Sequence, residues 1–200
     1  MNQEDFWKGD FGTDYISRNI DEILLESNVN FFEKILQNVQ EPIDSILELG
    51  ANVGMNFLAL SRILPDLNFT GVEINKAAAD ALRETGCEVH NCAIQDLALK
   101  ATYDLVLTKT VLIHIAPEQL SDTYEKIFNF SRKWILIAEY YNSTPTGIPY
   151  RGHEEKLFKR DFAGEMLDTY PSLKLVDYGF TYHRDSHPQD DVSWFLLRKD

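Results

Sequence analysis

A glycine loop between an apolar strand and an amphipathic helix constrains this chain more than any other feature. Residues 43–49 form an apolar run that carries Glu48 near its end, and Gly50 and Gly54 frame the loop that follows. The next apolar strand also ends in an acid, Glu73. Glycines let the backbone approach a ligand closely, and an acid at a strand tip accepts hydrogen bonds from both hydroxyls of a ribose. The pattern predicts a βαβ unit that binds a nucleoside.

The rest of the chain alternates short apolar runs with helical patterns. Strands joined by helices form a parallel sheet that is covered on both faces, so the chain is predicted to be α/β. Only a polar segment separates the last two strands, which predicts an antiparallel pair at the edge of the sheet. The predicted strands are residues 43–49, 69–74, 88–92, 103–109, 134–140, 174–180 and 192–198, and the predicted helices between them are residues 54–64, 76–84 and 117–130.

Two helical patterns precede the first strand, at residues 15–25 and 30–39. Asn30 with Glu33 three residues later has the pattern of a capping box, which predicts that the second helix begins there. Residues 144–149 combine threonine, proline and glycine and are predicted to be a loop.

Composition narrows the classes of function. The net charge of −13 argues against nonspecific binding to nucleic acid or to an anionic membrane. Cys87 and Cys92 have no partners at disulfide or zinc spacing, and no metal site is predicted. The polar N-terminus and the short apolar runs predict a cytoplasmic protein. We expect one domain over residues 1–200, with a helical lid at residues 1–40 and an α/β core at residues 41–200.

The dinucleotide fingerprint fails, because Asn52 and Met55 occupy its later glycine positions. The two strand-end acids, the Gly-x-x-x-Gly loop and the final antiparallel pair together resemble the class I S-adenosylmethionine-dependent methyltransferases. The resemblance covers residues 40–200. It implies a Rossmann-like fold with a seven-stranded, mostly parallel sheet, an antiparallel C-terminal strand pair and helices on both faces. It also implies S-adenosyl-L-methionine as cofactor. Asn52 stands where the family has a third glycine, and asparagine tolerates positive φ.

The resemblance assigns cofactor roles to the strand ends. Glu48 would orient the amino group through water, and Glu73 would bind the ribose hydroxyls. Ile74 would flank one face of the adenine, with Ala93 and Ile94 on the other. The loop backbone would pass under the methionine part, and the end of the fourth strand would lie beside the sulfonium. The implied cofactor-binding residues are Tyr15, Arg18, Glu48, Gly50, Ala51, Asn52, Gly54, Glu73, Ile74, Ala93, Ile94, Thr108 and Lys109.

Three longer segments resemble the methyltransferases associated with pseudaminic acid biosynthesis. They are residues 6–19 (FWKGDFGTDYISRN), 138–142 (AEYYN) and 148–162 (IPYRGHEEKLFKRDF). This second resemblance spans nearly the whole chain. It implies a small acidic acceptor, a nonulosonic (pseudaminic-type) acid sugar or its precursor.

The acceptor is expected beyond the ends of the fourth and fifth strands. Residues 151–160 carry a local excess of positive charge in an acidic chain, which is typical of a clamp for an anionic acceptor. The alternative is an exposed helix face with ordinary charge pairs. The candidate acceptor-binding residues are Trp7, Glu139, Tyr140, Asn142, Arg151, Lys159 and Arg160.

Methyl transfer from a sulfonium requires a base only when the acceptor is a hydroxyl or a protonated amine. The candidate catalytic residues are His153 in the basic segment, His114 after the fourth strand and Tyr141 after the fifth. The alternative role of His114 is structural, in the turn after that strand.

The segment around Trp7, Tyr15 and Arg18 combines aromatic rings with a cation and is predicted to fold over the cofactor, with Tyr15 and Arg18 holding the methionine carboxylate. Its alternative is plain packing of an amphipathic helix. Three functions remain open: methylation of an acidic sugar, methylation of another small molecule at oxygen, nitrogen or carboxylate, and nucleoside binding without catalysis.

Overall fold

The computed structural model describes residues 3–9, 11–12, 22–150 and 153–200; the side chains of Tyr150 and of residues 153–156 lie outside that description. The helices are α1 (Gln3–Lys8), α2 (Glu22–Leu36), α3 (Met55–Ile63), α4 (Lys76–Glu84), α5 (Leu120–Phe130) and α6 (Phe162–Thr169). The strands are β1 (Ser45–Leu49), β2 (Asn68–Val72), β3 (Glu88–His90), β4 (Tyr103–Lys109), β5 (Ser131–Glu139), β6 (Thr146–Tyr150), β7 (His153–Lys159), β8 (Leu173–Phe180) and β9 (Ser193–Lys199). Short 3₁₀ turns cover Ile94–Asp96, Leu112–His114 and Pro117–Gln119.

Seven strands form one sheet in the order β3-β2-β1-β4-β5-β9-β8. Strands β1 to β5 are parallel, and β9 runs antiparallel to both of its neighbours, β5 and β8. This confirms the predicted seven-stranded, mostly parallel sheet with its antiparallel C-terminal pair. Among the residues that the structure describes, β6 and β7 pair only with each other, in the segment between β5 and α6.

Both faces of the central strands β1, β4 and β5 are buried, which explains the continuous apolar runs of these strands. Ile46 of β1 belongs to a core with Phe32 of α2 and Leu60 of α3. Its neighbour Leu47 belongs to the opposite core, with Ile127 of α5. Burying each such side chain contributes about 1.5–3 kcal/mol. The strand ends are therefore fixed firmly on both sides.

The predicted helix start at Asn30 is wrong. Asn30 is exposed in the interior of α2, which begins by Glu22 and ends at Leu36 rather than at residue 39. The buried face runs continuously from Ser27 through Phe32 to Ile35, so core packing carries the helix through the local capping pattern. Of the predicted helix at residues 15–25, residues 15–21 lie outside the described residues and residues 22–25 belong to α2.

The predicted loop at residues 144–149 is also wrong in part, because β6 begins at Thr146. The basic segment forms β7, the second strand of the same hairpin, rather than a helix face. Local turn residues had suggested a loop, but pairing with β7 supplies hydrogen bonds that favour the extended form. Within the described ranges no helix is long and apolar enough to cross a membrane.

Candidate functional site

A pocket lies at the carboxyl ends of β1, β2 and β4, the edge at which parallel α/β sheets bind ligands. Pairing of Leu49 with both Val72 and Thr108 brings the three strand ends together. The pocket is lined by Gln3, Glu4, Trp7, Gly12, Gly50, Asn52, Val72, Glu73, Ile74, Asn75, Ala78, Cys92, Ile94, Gln95, Lys109, Thr110, Val111, His114, Ile115 and Gln119.

The glycine loop turns sharply beneath this pocket. Gly50 has φ of 77° and Asn52 has φ of 48°, so asparagine adopts the left-handed conformation expected of it. The N–H groups of Gly50 and Ala51 donate to Val72 O at 2.8 and 2.9 Å. A Cβ on Gly50 would collide with the side chain of Val111. Glycine here permits both the turn and the close approach of the two strand-end segments.

Glu73 lies one residue beyond β2 and faces the pocket. Its two carboxylate oxygens accept hydrogen bonds from Asn52 N at 2.9 Å and from Asn75 N at 2.7 Å. Burial raises the pKa of Glu73, while these backbone N–H groups oppose the rise. A carboxylate oxygen has two lone pairs, so Glu73 retains capacity to accept from ligand hydroxyls.

Glu48 is 1% exposed, within β1. Its Oε1 accepts a hydrogen bond from Asn56 Nδ2 of α3 at 2.6 Å, whereas Oε2 is buried without a partner among the described residues. Burial raises the pKa of Glu48 to about 7. An unpaired buried carboxylate oxygen is costly and is typical of a site completed by a ligand or a water molecule.

Apolar side chains form the wall beyond Glu73. Ile74 and Ile94 both line the pocket, as predicted for the residues expected to flank the adenine, and Gln95 lies beside them. The amide Nδ2 of Asn91 donates to Glu73 O at 2.8 Å and thereby fixes the exit of β2. Ala93 is buried and does not line the pocket.

Helix α1 covers one side of the pocket. Asn75 Nδ2 donates to Trp7 O at 3.1 Å, while Asn75 Oδ1 accepts from Ala78 N and caps α4. The Trp7 ring contacts the ring of His114 with centroids 4.5 Å apart. Trp7 and His114 therefore lie together at the pocket wall, although they are 107 residues apart in sequence. The predicted lid residues Tyr15 and Arg18 lie outside the described residues.

The end of β4 contributes Lys109, whose ammonium donates to Asn28 Oδ1 of α2 at 3.1 Å. Thr110 follows with φ of 57°, an unusual conformation for a β-branched residue. Lys109 and Thr110 both line the pocket. Thr108 points away and is fully buried. Such backbone strain persists only where surrounding contacts hold it, and it often marks a functional site.

Glu139 lies under the loop after β4 rather than on the pocket wall. Its carboxylate accepts from the N–H groups of Val111 and Leu112, each at 3.0 Å, and of Ile113 at 3.4 Å. Burial raises the pKa of Glu139 to about 7, against the effect of these N–H groups. These contacts make Glu139 a buried structural group at the end of the sheet, where it holds the loop that carries His114.

The other described residues predicted on the acceptor side, including the candidate catalytic residue Tyr141, do not line the pocket. Tyr141 is 44% exposed and contacts Phe195. Asn142 donates to Thr144 O within its own loop. The remaining cations of the hairpin are Lys159, which lies over the Tyr140 ring, and Arg160, which pairs with Glu165 at 2.6 Å.

Arg151 and the His153 side chain lie outside the described part of the chain, so their predicted roles stay predictions. Ala51 and Gly54 also lie off the pocket wall: Ala51 is buried, and a Cβ on Gly54 would meet Leu82 of α4. Among the described residues no group of three potential ligands could hold a metal ion.

Comparison with families of known proteins gives a match over the strands and loops that form the pocket. Residues 46–133, from β1 to the start of β5, match the family described as a methyltransferase domain. No curated protein matches the chain. Residues 46–133 are thus similar to a methyltransferase domain, and the architecture is the fold that S-adenosylmethionine-dependent methyltransferases of known structure share.

Solved structures share this fold over almost the whole chain. Magnesium protoporphyrin IX methyltransferase from Synechocystis, solved with bound S-adenosylmethionine, superposes with a TM-score of 0.73 at 11% identity, covering 100% of this chain and 98% of that one. The plantazolicin methyltransferase, in complex with S-adenosylhomocysteine, gives 0.68 at 14% identity, covering 99% and 94%. The glycopeptide N-methyltransferase MtfA gives 0.65 at 9% identity, covering 86% and 90%. At these identities the likeness concerns the fold.

Proposed function

We propose that this protein is an S-adenosylmethionine-dependent methyltransferase that modifies a small acidic metabolite, and that the acceptor is a nonulosonic (pseudaminic-type) acid sugar or its precursor. The convergence of Glu73 with the glycine loop carries the cofactor part of this proposal. Both carboxylate oxygens of Glu73 are fixed by backbone N–H groups and open toward the pocket. That arrangement suits two neighbouring ribose hydroxyls.

The residues present fit this cofactor. Glu48 offers a buried carboxylate oxygen that lacks a donor, which suits the cofactor's amino group. Gly50 leaves space where any side chain would collide with Val111. Ile74 and Ile94 supply apolar surfaces for a flat base. S-Adenosylmethionine, when bound, supplies a methyl group already activated on a sulfonium.

The chain's own residues then have limited chemistry to perform. Helix α1 and the Trp7–His114 contact cover one side of the pocket and exclude water there. Exclusion of water favours attack of the acceptor on the methyl carbon of the sulfonium. His114 lies on the pocket wall and would accept a proton from a hydroxyl acceptor. A carboxylate acceptor would need no base.

The acidic acceptor is supported by the resemblance of residues 148–162 and by the positive charge of the β6–β7 hairpin. Arg160 is engaged by Glu165, so Arg151 and Lys159 remain as the hairpin's candidates for binding an anion. The pairing of Arg160 favours, as second candidate, methylation of a small molecule outside acid-sugar pathways, at oxygen, nitrogen or carboxylate.

Calorimetry with S-adenosylhomocysteine tests the cofactor assignment, with NAD as the comparison ligand. We expect micromolar binding of S-adenosylhomocysteine alone. Binding of neither ligand, or of NAD alone, would contradict the proposal. Binding without turnover of any acceptor would favour a non-catalytic nucleoside-binding module.

A methyl-transfer assay with paired acid and neutral sugars then tests the acceptor. We expect Arg151→Ala to raise the KM for the acidic sugar and to spare cofactor binding. The matched control is Arg62→Ala, on α3 at the opposite end of the sheet. Equal turnover of acidic and neutral sugars would remove the anionic acceptor from the proposal.

A further inference from the structure

Lys109 occupies a distinctive place beside the glycine loop. Leu49 pairs with Thr108, so the next residues, Gly50 and Lys109, lie side by side at the pocket edge. The Lys109 side chain points to the face of the sheet covered by α2, where its ammonium donates to Asn28 Oδ1 at 3.1 Å. A cation thus borders the path of a ligand that crosses the loop.

One buried amide, Asn28, accepts from this ammonium, and a second, Gln189, fixes Asn28 in turn. Asn28 is 1% exposed, and its Oδ1 also accepts from Gln189 Nε2 at 2.8 Å. Gln189 is itself buried, in the segment between β8 and β9. The Phe31 ring lies 5.6 Å from the Lys109 nitrogen. Two distant parts of the chain, α2 and the segment between β8 and β9, therefore fix one lysine, which is the arrangement expected of a preorganised binding group.

Lys109 lacks a close anionic partner among the described residues: its one hydrogen bond there is to the neutral Asn28. Burial lowers the pKa of Lys109, and the carboxylates of Glu48, Asp190 and Glu139 raise it from a greater distance. A buried ammonium without an ion pair is unfavourable, and a carboxylate bound at the pocket would relieve that cost.

Glu48 provides the complementary group. It lies two residues before Gly50 and has a buried carboxylate oxygen without a partner among the described residues. A carboxylate with one oxygen that lacks a donor and a cation without an ion-pair partner among the described residues thus flank the same loop. Their combined complement is the zwitterionic end of an α-amino acid, with its ammonium toward Glu48 and its carboxylate toward Lys109.

We propose that Lys109 binds the carboxylate of the cofactor's amino-acid end, and that Asn28 and Gln189 are positioning residues for it. This inference rests on the proposed function. It assigns to Lys109 the contact that the sequence suggested for Tyr15 and Arg18.

A thermodynamic cycle between ligand and protein tests the inference. Calorimetry compares S-adenosylhomocysteine with its decarboxylated analogue, in the wild type and in Lys109→Met. We expect the wild type to bind S-adenosylhomocysteine at least about tenfold tighter than the analogue. Lys109→Met should remove that difference and leave the affinity for the analogue unchanged. Lys174→Met, at an exposed position on β8, is the matched control and should retain the difference.

Asn28→Asp provides a second variant that does not remove the lysine. The new carboxylate would pair with Lys109 and compete with the ligand's carboxylate, so S-adenosylhomocysteine should bind several-fold more weakly while the analogue is unaffected. A purely structural role of Asn28 would weaken both ligands alike. Gln189→Met should show the same selectivity with a smaller effect.

The outcomes separate the two proposals. If the wild type binds neither ligand, the proposed function fails. If it binds both ligands equally, or if Lys109→Met weakens both alike or neither, the inference about Lys109 is overturned while cofactor binding stands. Loss of the difference in Arg18→Met but not in Lys109→Met would return the carboxylate to the N-terminal segment.

Discussion

Glu73 and Glu139 are both buried acids at the ends of parallel strands, yet they occupy different environments. Glu73 accepts two backbone N–H groups and faces the pocket. Glu139 accepts three and lies beneath the loop after β4. The half of the sheet where the nucleoside is proposed to bind, β1 to β3 (the nucleoside half), thus presents its acid to the pocket. The half where the acceptor is proposed to bind, β4 and β5 (the acceptor half), uses its acid to hold the chain.

The path of the chain beyond the strands explains this difference. After β2 the chain leaves the pocket through Asn75 into α4, so Glu73 stays uncovered. After β4 the chain folds back over the end of β5, with Thr110 N donating to Ala138 O at 2.8 Å. The positive φ of Thr110 accompanies this reversal. A strand-end acid therefore indicates a ligand site only where the following segment leaves it open.

Removing Glu139, the acid of the acceptor half, should change the free energy of unfolding more than any other substitution considered. Glu139→Ala leaves three buried N–H groups without their acceptor, so we expect the free energy of unfolding to fall by about 3 kcal/mol. Urea denaturation measures it, with Glu118→Ala, an exposed acid, as control. A loss no larger than that of the control would break the comparison.

Glu48→Gln should raise the free energy of unfolding, in contrast to Glu139→Ala. Because burial holds the folded-state pKa at about 7 against an ordinary 4.5, the folded protein binds more protons than the unfolded chain between these values. Stability should therefore fall as pH rises through this window. The variant cannot ionise and should be ~2 kcal/mol more stable than the wild type above the window.

Thermal unfolding across that pH range measures the effect of Glu48→Gln. Glu139 also has a raised pKa, so the variant should retain part of the pH dependence. An unchanged pH profile in Glu48→Gln would show that Glu48 is not the ionising group.

Glu73→Ala should weaken binding of S-adenosylhomocysteine by at least about tenfold, or ~1.4 kcal/mol, because the ribose hydroxyls lose their acceptor. Calorimetry measures the affinity, and Glu88→Ala, an exposed acid on β3, is the matched control. Unchanged affinity in Glu73→Ala would refute its assignment to the ribose.

Arg160→Met should have the smallest effect. Its ion pair with Glu165 is partly buried, so we expect a loss of ~1 kcal/mol in stability and no change in affinity for S-adenosylhomocysteine. Denaturation and calorimetry measure the two quantities. A raised acceptor KM in this variant would place Arg160 in the acceptor site and weaken the contrast between the halves.

The sequence predicted the nucleoside half better than the acceptor half. Gly50, Asn52 and Glu73 meet as expected because the strand, loop and helix that position them are contiguous in sequence. Asn142 and Arg160 do not line the pocket: Asn142 donates to Thr144 O in its own loop and to Thr146 Oγ1 of β6, and Arg160 pairs with Glu165 of α6.

Some residues of the site gave no sequence signal. Asn75 ties α1 to the end of β2, and Asn28 and Gln189 meet behind Lys109. Single amides at such separations follow no local pattern, so the sequence did not reveal them. The capping pattern at Asn30 misled for the related reason that core packing outweighed it.

The sequence by itself determined the chain order of the seven strands of the main sheet, the antiparallel end and the glycine loop with its two acids. These follow from hydrophobic periodicity and backbone conformation, which act over a few residues. Only the tertiary structure decided which strand-end acid stays open, because that depends on how the next segment folds across the sheet edge. The contacts of Glu139 with residues 111–113 and of Lys109 with Asn28 join segments 26 or more residues apart, beyond the reach of any local pattern.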